Sequence, residues 1–282
     1  MSYNPEITKN RYDNYGDREW TRLERDPQGE LLYHVHLDIL KRYIRPSDCV
    51  FEIGAGSGRY TKDIVNMCKE LTVADISSHQ IEFNKEKMKE LSLYNRIKDF
   101  QILDVVNMPT IENESFDCIV CIGGVINYLF EKELTGVEEM LRVLRPGGKL
   151  IIGAMSFIGS SIFYLDGISD EKSLFGIEAT KWLFDTGVQD EEHYPVQSKH
   201  HVHMMRSSEM DTLFSNFPVK VVEKSSAGLF SQSRNDALEN ARQDKELWEL
   251  IIKQELEFTK LPGTLDCGMN IIYVIEKSQK VR

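Results

Sequence analysis

Phe51-Glu52-Ile53-Gly54-Ala55-Gly56-Ser57-Gly58-Arg59-Tyr60 sets three glycines at alternate positions between an apolar run and a helical pattern. Cys49 to Ile53 has strand composition, and Tyr60 to Leu71 carries Ile64, Val65, Met67, Cys68 and Leu71 at helical spacing. The glycines therefore fall at a strand-to-helix junction. Glycine lets the backbone turn sharply and lets a ligand lie against bare peptide, while the helix start behind it offers N–H donors. The dinucleotide fingerprint would place its third glycine at position 59, which here is Arg59. That spacing argues against a pyrophosphate resting on the helix start. Glu52, just before the loop, suits a ligand bearing a cationic amine better than one bearing phosphates.

Outward from the loop, strand and helix patterns alternate from Cys49 to Ser156. Strands are predicted at Thr72–Ser77, Phe100–Val105, Phe116–Gly124 and Lys149–Ala154, and helices at Ser78–Leu91 and Glu131–Leu144. Such alternation implies a parallel sheet with helices on both faces and ligands at the carboxyl ends of the strands. Gly54, Asp75, Asp104 and Gly123 all fall at such ends.

Glu52-x-Gly54-x-Gly56-x-Gly58 resembles the first motif of the class I S-adenosylmethionine-dependent methyltransferases, and the resemblance extends from about Glu52 to Ser156. It implies a doubly wound, seven-stranded, mostly parallel α/β sheet of Rossmann-like type with an antiparallel last strand. Asp75, about 20 residues past the loop, takes the place of the acid that accepts the ribose hydroxyls, with Ile76 beside it. Asp104 and Val105 match the acid that bonds the adenine amino group and the residue that packs on its ring. Cys121, Ile122 and Gly123 end the strand that borders the methionine portion, and Ala55 lies within the loop. Leu144-Arg145-Pro146-Gly147-Gly148-Lys149-Leu150 resembles the turn into the fifth strand. The cofactor implied is S-adenosyl-L-methionine, with S-adenosyl-L-homocysteine as product. Asn127 and Tyr128 occupy the acceptor-facing place, where relatives that methylate DNA or glutamine carry an Asn/Asp-Pro-Pro-aromatic motif. This chain has none.

The length of 282 residues is ample for one large buried core. A net charge of −11 disfavours nucleic acid as the partner. No apolar run is long enough to span a bilayer, and the polar N-terminal stretch is unlike a signal peptide, so a soluble cytoplasmic protein, monomer or homodimer, is expected. Five scattered cysteines read as reduced core thiols. Cys118 and Cys121 match C-x-x-C, but residues three apart on a strand point to opposite faces and cannot easily share a metal.

Residues 1–45 are expected to form an N-terminal helical lid, containing an amphipathic helix from Leu31 to Tyr43. Asn10 to Trp20 resembles the N-terminal segment with which many small-molecule methyltransferases cover the cofactor, which makes Tyr12 and Tyr15 candidate cofactor contacts; aromatic rings attract a sulfonium and exclude water. His34 and His36 read as packing or surface residues. The cofactor-binding core spans 46–156. Residues 157–217, rich in aromatics, stand where the resembled family places its acceptor-binding caps, so the resemblance implies an inserted cap in which Phe157 and Trp182 face an apolar or aromatic acceptor. His200, His201 and His203 are the candidate general bases for a hydroxyl acceptor. They lack the helical i, i+4 spacing of a metal site, and no metal is expected. Residues 218–282 complete the sheet through strands at Val219–Glu223 and Met269–Lys277, joined by one long helix from Ser233 to Lys260.

The combined expectation is a methyltransferase acting on a small molecule with an O, N or S nucleophile by in-line displacement. An RNA or protein methyltransferase would show salt-sensitive RNA binding or an acidic-peptide groove. A partner subunit without catalysis would bind cofactor with no turnover. A nicotinamide-dependent oxidoreductase shares the fold pattern, and Arg59 is the feature against it.

Overall fold

The computed structural model describes residues 3–15, 18–21, 26–195 and 201–279. Helices α1 (Pro5–Tyr15), α2 (Arg18–Thr21) and α3 (Pro27–Tyr43) precede β1 (Cys49–Ile53). The start of α3 is set by Asp26, whose carboxylate accepts from the Gly29 N–H, and by Pro27 in the first turn, where no N–H is needed. Helix α4 (Thr61–Ile64), β2 (Glu70–Asp75), α5 (Ser78–Glu90), β3 (Ile97–Ile102) and β4 (Phe116–Cys121) follow. Next come α6 (Glu133–Val143) and β5 (Leu144–Met155).

Among the described residues the main sheet has strand order β3-β2-β1-β4-β5-β9-β8, in which β8 is Val219–Ala227 and β9 is Asn270–Lys277. β1 to β5 are parallel, and β9 runs antiparallel between β5 and β8. Chain direction across the sheet reverses between β1 and β4, which opens a crevice at their carboxyl ends. Alternate strand residues feed two core layers: Phe51, Ile119 and Tyr273 point to one side, Val50, Val120 and Val274 to the other. Cys118 and Cys121 fall in these two different layers.

The helix expected from Tyr60 to Leu71 is a single turn. Ile64 and Val65 complete its burial, and the chain must then return so that Glu70 pairs with Cys49. After β5 the chain leaves the sheet through α7 (Phe157–Phe163), α8 (Leu165–Phe175), α9 (Ile177–Thr186) and the two-stranded sheet of β6 (Val188–Gln189) and β7 (Val202–His203). It returns at Met205, whose N–H donates to the Met155 carbonyl while its own carbonyl accepts from the Phe157 N–H, both at 2.9 Å. α10 (Ser207–Ser215) then packs Met210, Leu213 and Phe214 into the main core. The chain thus rejoins the main core at Met205 and α10, ahead of residue 217.

The single late helix is two, α11 (Asn235–Gln243) and α12 (Lys245–Phe258). Asp244 between them is extended, and its carboxylate accepts from the Glu246 and Leu247 N–H groups, starting a new helix. Leu238 and Trp248 from this pair bury Leu31 of α3, and the Trp248 indole donates to Glu30 at 2.9 Å. No helix among the described residues is long and apolar enough to cross a membrane.

Candidate active site

The glycine loop is held open by its own backbone. Gly54, Gly56 and Gly58 have φ of 68°, 53° and 92°, the left-handed region that side chains disfavour. The N–H groups of Gly54 and Ala55 both donate to the Ala74 carbonyl, at 2.9 and 3.1 Å, tying the loop to the end of β2. Asp75, the next residue, accepts from the Gly56 N–H at 2.8 Å and from the Ser77 N–H at 2.9 Å. A Cβ on Gly54 would come within 2.2 Å of the Val125 side chain, so the loops after β1 and β4 approach each other closely. A Cβ on Gly58 would meet the Asn84 amide at 2.4 Å, so that glycine serves helix packing.

Above these loops lies a cavity of about 310 Å³. Of the residues expected to hold the cofactor, Tyr12, Glu52, Gly54, Ala55, Gly56, Asp75, Ile76, Asp104, Val105, Ile122 and Gly123 line it. Gly58 does not, and Cys121 is buried in the core beneath. The side chain of Tyr15 lies outside the described residues. Glu52 is buried and accepts from the Thr61 hydroxyl at 2.6 Å. Burial pushes its carboxyl up to about 8; Thr61 opposes the rise, and Asp63 and Asp75 add to it. Asp104 accepts from the Tyr3 hydroxyl at 2.7 Å.

The structure adds wall residues without a sequence motif. Tyr3, Thr8 and Arg11 come from the N-terminal segment, His36 from α3, Met155 and Asn270 from the ends of β5 and β9, and Tyr164 from the cap. The His36 Nδ1 lies 2.8 Å from the Tyr60 hydroxyl. Arg59 is buried, its guanidinium 4.5 Å from the Tyr33 ring centre and 5.8 Å from that of Trp20.

Several expected acceptor and base positions lie elsewhere. Tyr128 lines the cavity, but Asn127 is a buried clip: its amide donates to the His203 carbonyl at 2.7 Å and its oxygen accepts from the Met155 N–H at 2.8 Å. Phe157 packs in the cap core under the Arg206 guanidinium, and Trp182 stacks on His193 with ring centres 4.4 Å apart. His200 lies outside the described residues. The buried His201 has its Nε2 3.3 Å from the Tyr194 carbonyl. His203 sits between Glu133 at 2.7 Å and Glu209 at 3.2 Å. Burial alone would lower its pKa, but the two carboxylates outweigh this and raise it to about 9. A histidine already protonated at neutral pH cannot take a proton, and neither His201 nor His203 reaches the cavity.

This donor set tests which ligand fits. The carboxylates of Asp75 and Asp104, the buried carboxyl of Glu52, bare glycine backbone and aromatic side chains match a ligand rich in hydroxyl and amine donors.

Comparison with known proteins agrees with that chemistry. Residues 51–152 match the family model described as "Methyltransferase domain". The ubiquinone/menaquinone biosynthesis C-methyltransferase UbiE of Pseudomonas paraeruginosa is 28% identical over 122 residues, 42% of this chain and 46% of that protein. Its Haemophilus ducreyi counterpart is 28% identical over 112 residues, 39% and 42% of the two chains. The chain thus spans less than half the length of these curated relatives. Among solved structures, Haemonchus contortus phosphoethanolamine N-methyltransferase 1, in complex with phosphoethanolamine and S-adenosylhomocysteine, superposes with a TM-score of 0.61 at 16% identity. That match covers 98% of this chain and 49% of the other. The N-methyltransferase NodS of Bradyrhizobium japonicum, with S-adenosyl-l-homocysteine, gives 0.56 at 17% identity over 97% and 98%. The fold and its loop are those of a class I methyltransferase. Residues 51–152, just over a third of the chain, are the part that resembles a methyltransferase domain.

Proposed function

We propose that this protein transfers the methyl group of S-adenosylmethionine to a small-molecule acceptor held between the cavity and the cap. The observation that carries this reading is Asp75, fixed by two backbone N–H donors at the floor of a cavity walled by carboxylates and bare glycine backbone. The bound donor supplies a methyl group already activated on a sulfonium. The chain's own residues need only bind, orient and exclude water.

Asp75 accepts the ribose hydroxyls through its carboxylate oxygens. Asp104 receives the adenine amino group, which displaces or shares the Tyr3 hydroxyl, and Val105 packs against the ring. Glu52 lies near the cationic end. Tyr12 and the rest of α1 close over the cavity, while Tyr128 and Met155 border the acceptor. An amine or thiol acceptor loses its proton to water, so no protein base is required. The net charge of −11 and the carboxylate wall both favour a small acceptor over RNA.

Thermal unfolding with S-adenosylhomocysteine, S-adenosylmethionine or NADH tests the reading. A ligand at one hundred times its dissociation constant adds about 2.7 kcal/mol, a rise of several degrees for a chain of this size. The adenosyl-sulfur ligands alone are expected to shift the transition. A shift with NADH alone would overturn the proposal.

A further inference from the structure

Helix α7 carries an apolar surface that begins at the cavity and ends in solvent. From Phe157 to Leu165 the chain has no charged residue. Gly159 lies so close to the turn before β9 that a Cβ there would meet the Gly268 carbonyl oxygen at 1.8 Å, and Ser156, Phe157 and Ser160 are buried. These contacts define the protein-facing side of α7. Ile158 and Ile162, one helical turn apart, are 41% and 55% exposed, and Leu165, which opens α8, is 61% exposed. Between them Tyr164 is 56% exposed and also lines the cavity, as does Met155 just before the helix. The Phe163 ring meets Tyr164 edge-on at 4.7 Å and widens the surface.

Single exposed apolar residues need no explanation, but a contiguous row leading out of a ligand cavity does. We propose that the methyl acceptor is amphiphilic: its reacting group sits beside Tyr128 and Met155, and an apolar chain leaves past Tyr164 to lie along Ile158, Ile162 and Leu165. The inference rests on the methyl-transfer reading above. Continuity through Tyr164 favours an occupant that starts inside the cavity. Asp166, Asp170 and Glu171 immediately beyond the row, with the acidic chain as a whole, disfavour an anionic membrane surface.

The test is calorimetric titration of the full chain with 4-n-alkylphenols, from methyl to octyl, with and without saturating S-adenosylhomocysteine. The dissociation constant should fall about two- to fourfold with each methylene that reaches the row. In the Ile162→Ser, Leu165→Ser double variant this dependence should vanish while 4-methylphenol binds as to the wild type. Affinity independent of chain length, or a dependence that survives in the variant, overturns the inference. So does sedimentation showing a dimer that the variant abolishes, which assigns the row to a second copy. Flotation with phosphatidylcholine vesicles that stops in the variant assigns it to a bilayer and also overturns it. Absence of S-adenosylhomocysteine heat in the same cell strikes at the methyl-transfer reading instead, so the two failures are distinguishable.

Discussion

The hydroxyl groups of Tyr12 and Tyr128 lie 2.8 Å apart, with their rings edge-on at 83°. One residue belongs to α1 and the other to the 3-10 turn after β4, and both line the cavity. Two further contacts hold the same end of α1. The Gln80 amide donates to the Tyr12 carbonyl at 3.0 Å, and the Ser77 hydroxyl donates to Asp13 at 2.5 Å. The N-terminal helix is thereby latched to both sides of the crevice.

Tyr12→Phe removes one hydrogen bond from that latch and keeps the ring. One such bond is worth about 0.5–1.5 kcal/mol, so S-adenosylhomocysteine should bind about two- to tenfold more weakly. Titration calorimetry reads this directly. An unchanged dissociation constant would remove α1 from the cofactor site.

Asp75→Ala takes the acceptor from the Gly56 and Ser77 N–H groups and from the cofactor together. Hydrogen bonds to a charged group contribute about 1.5–3 kcal/mol each, so affinity for S-adenosylhomocysteine should fall by a factor on the order of one hundred or more. Far-UV circular dichroism should show the fold retained. Wild-type affinity in a folded variant would displace Asp75 from its role.

Glu52 makes the ligand-free protein sensitive to pH. Its folded pKa of about 8 stands above that of an unfolded glutamate, so the folded state holds an extra proton between the two values. Its contribution is therefore fully present below the ordinary carboxylate range and is lost as pH rises through 8. Wild-type melting temperature should fall between pH 5 and pH 9, and Glu52→Gln should remove a few kcal/mol of that fall, to order of magnitude. Parallel curves for the two proteins would contradict the assignment.

His203 acts in the opposite sense to an ordinary buried histidine. Gripped by Glu133 and Glu209, it has a folded pKa of about 9, above the unfolded value of 6.5. Its stabilisation is complete below pH 6.5 and disappears as pH rises through 9. His203→Gln should cost on the order of 2 kcal/mol at pH 6 and almost nothing at pH 10. Chemical denaturation at the two pH values checks it, and a pH-independent loss would mean a packing effect alone.

The division between what was legible in the sequence and what was not follows the range of the interactions. The glycine loop, the strands ending at Asp75 and Asp104, and the α/β order could be read directly, because turn geometry and burial periodicity are local. Asp244 shows the limit of that reading: one helix was expected from Ser233 to Lys260, but the Asp244 carboxylate accepts from the Glu246 and Leu247 N–H groups and starts a new one. His203 shows the limit again, since a cluster of histidines in the chain became a latch only when Glu133, 70 residues away, met one of them. Tyr3, His36, Met155 and Asn270 reach one cavity from distant elements with no common spacing to announce it. The sequence by itself determined the sheet and the glycine loop. Tertiary structure decided which side chains wall the site, where the chain rejoins the core after α9 and which histidine is charged, since packing between remote elements sets each residue's neighbours and so its exposure and charge.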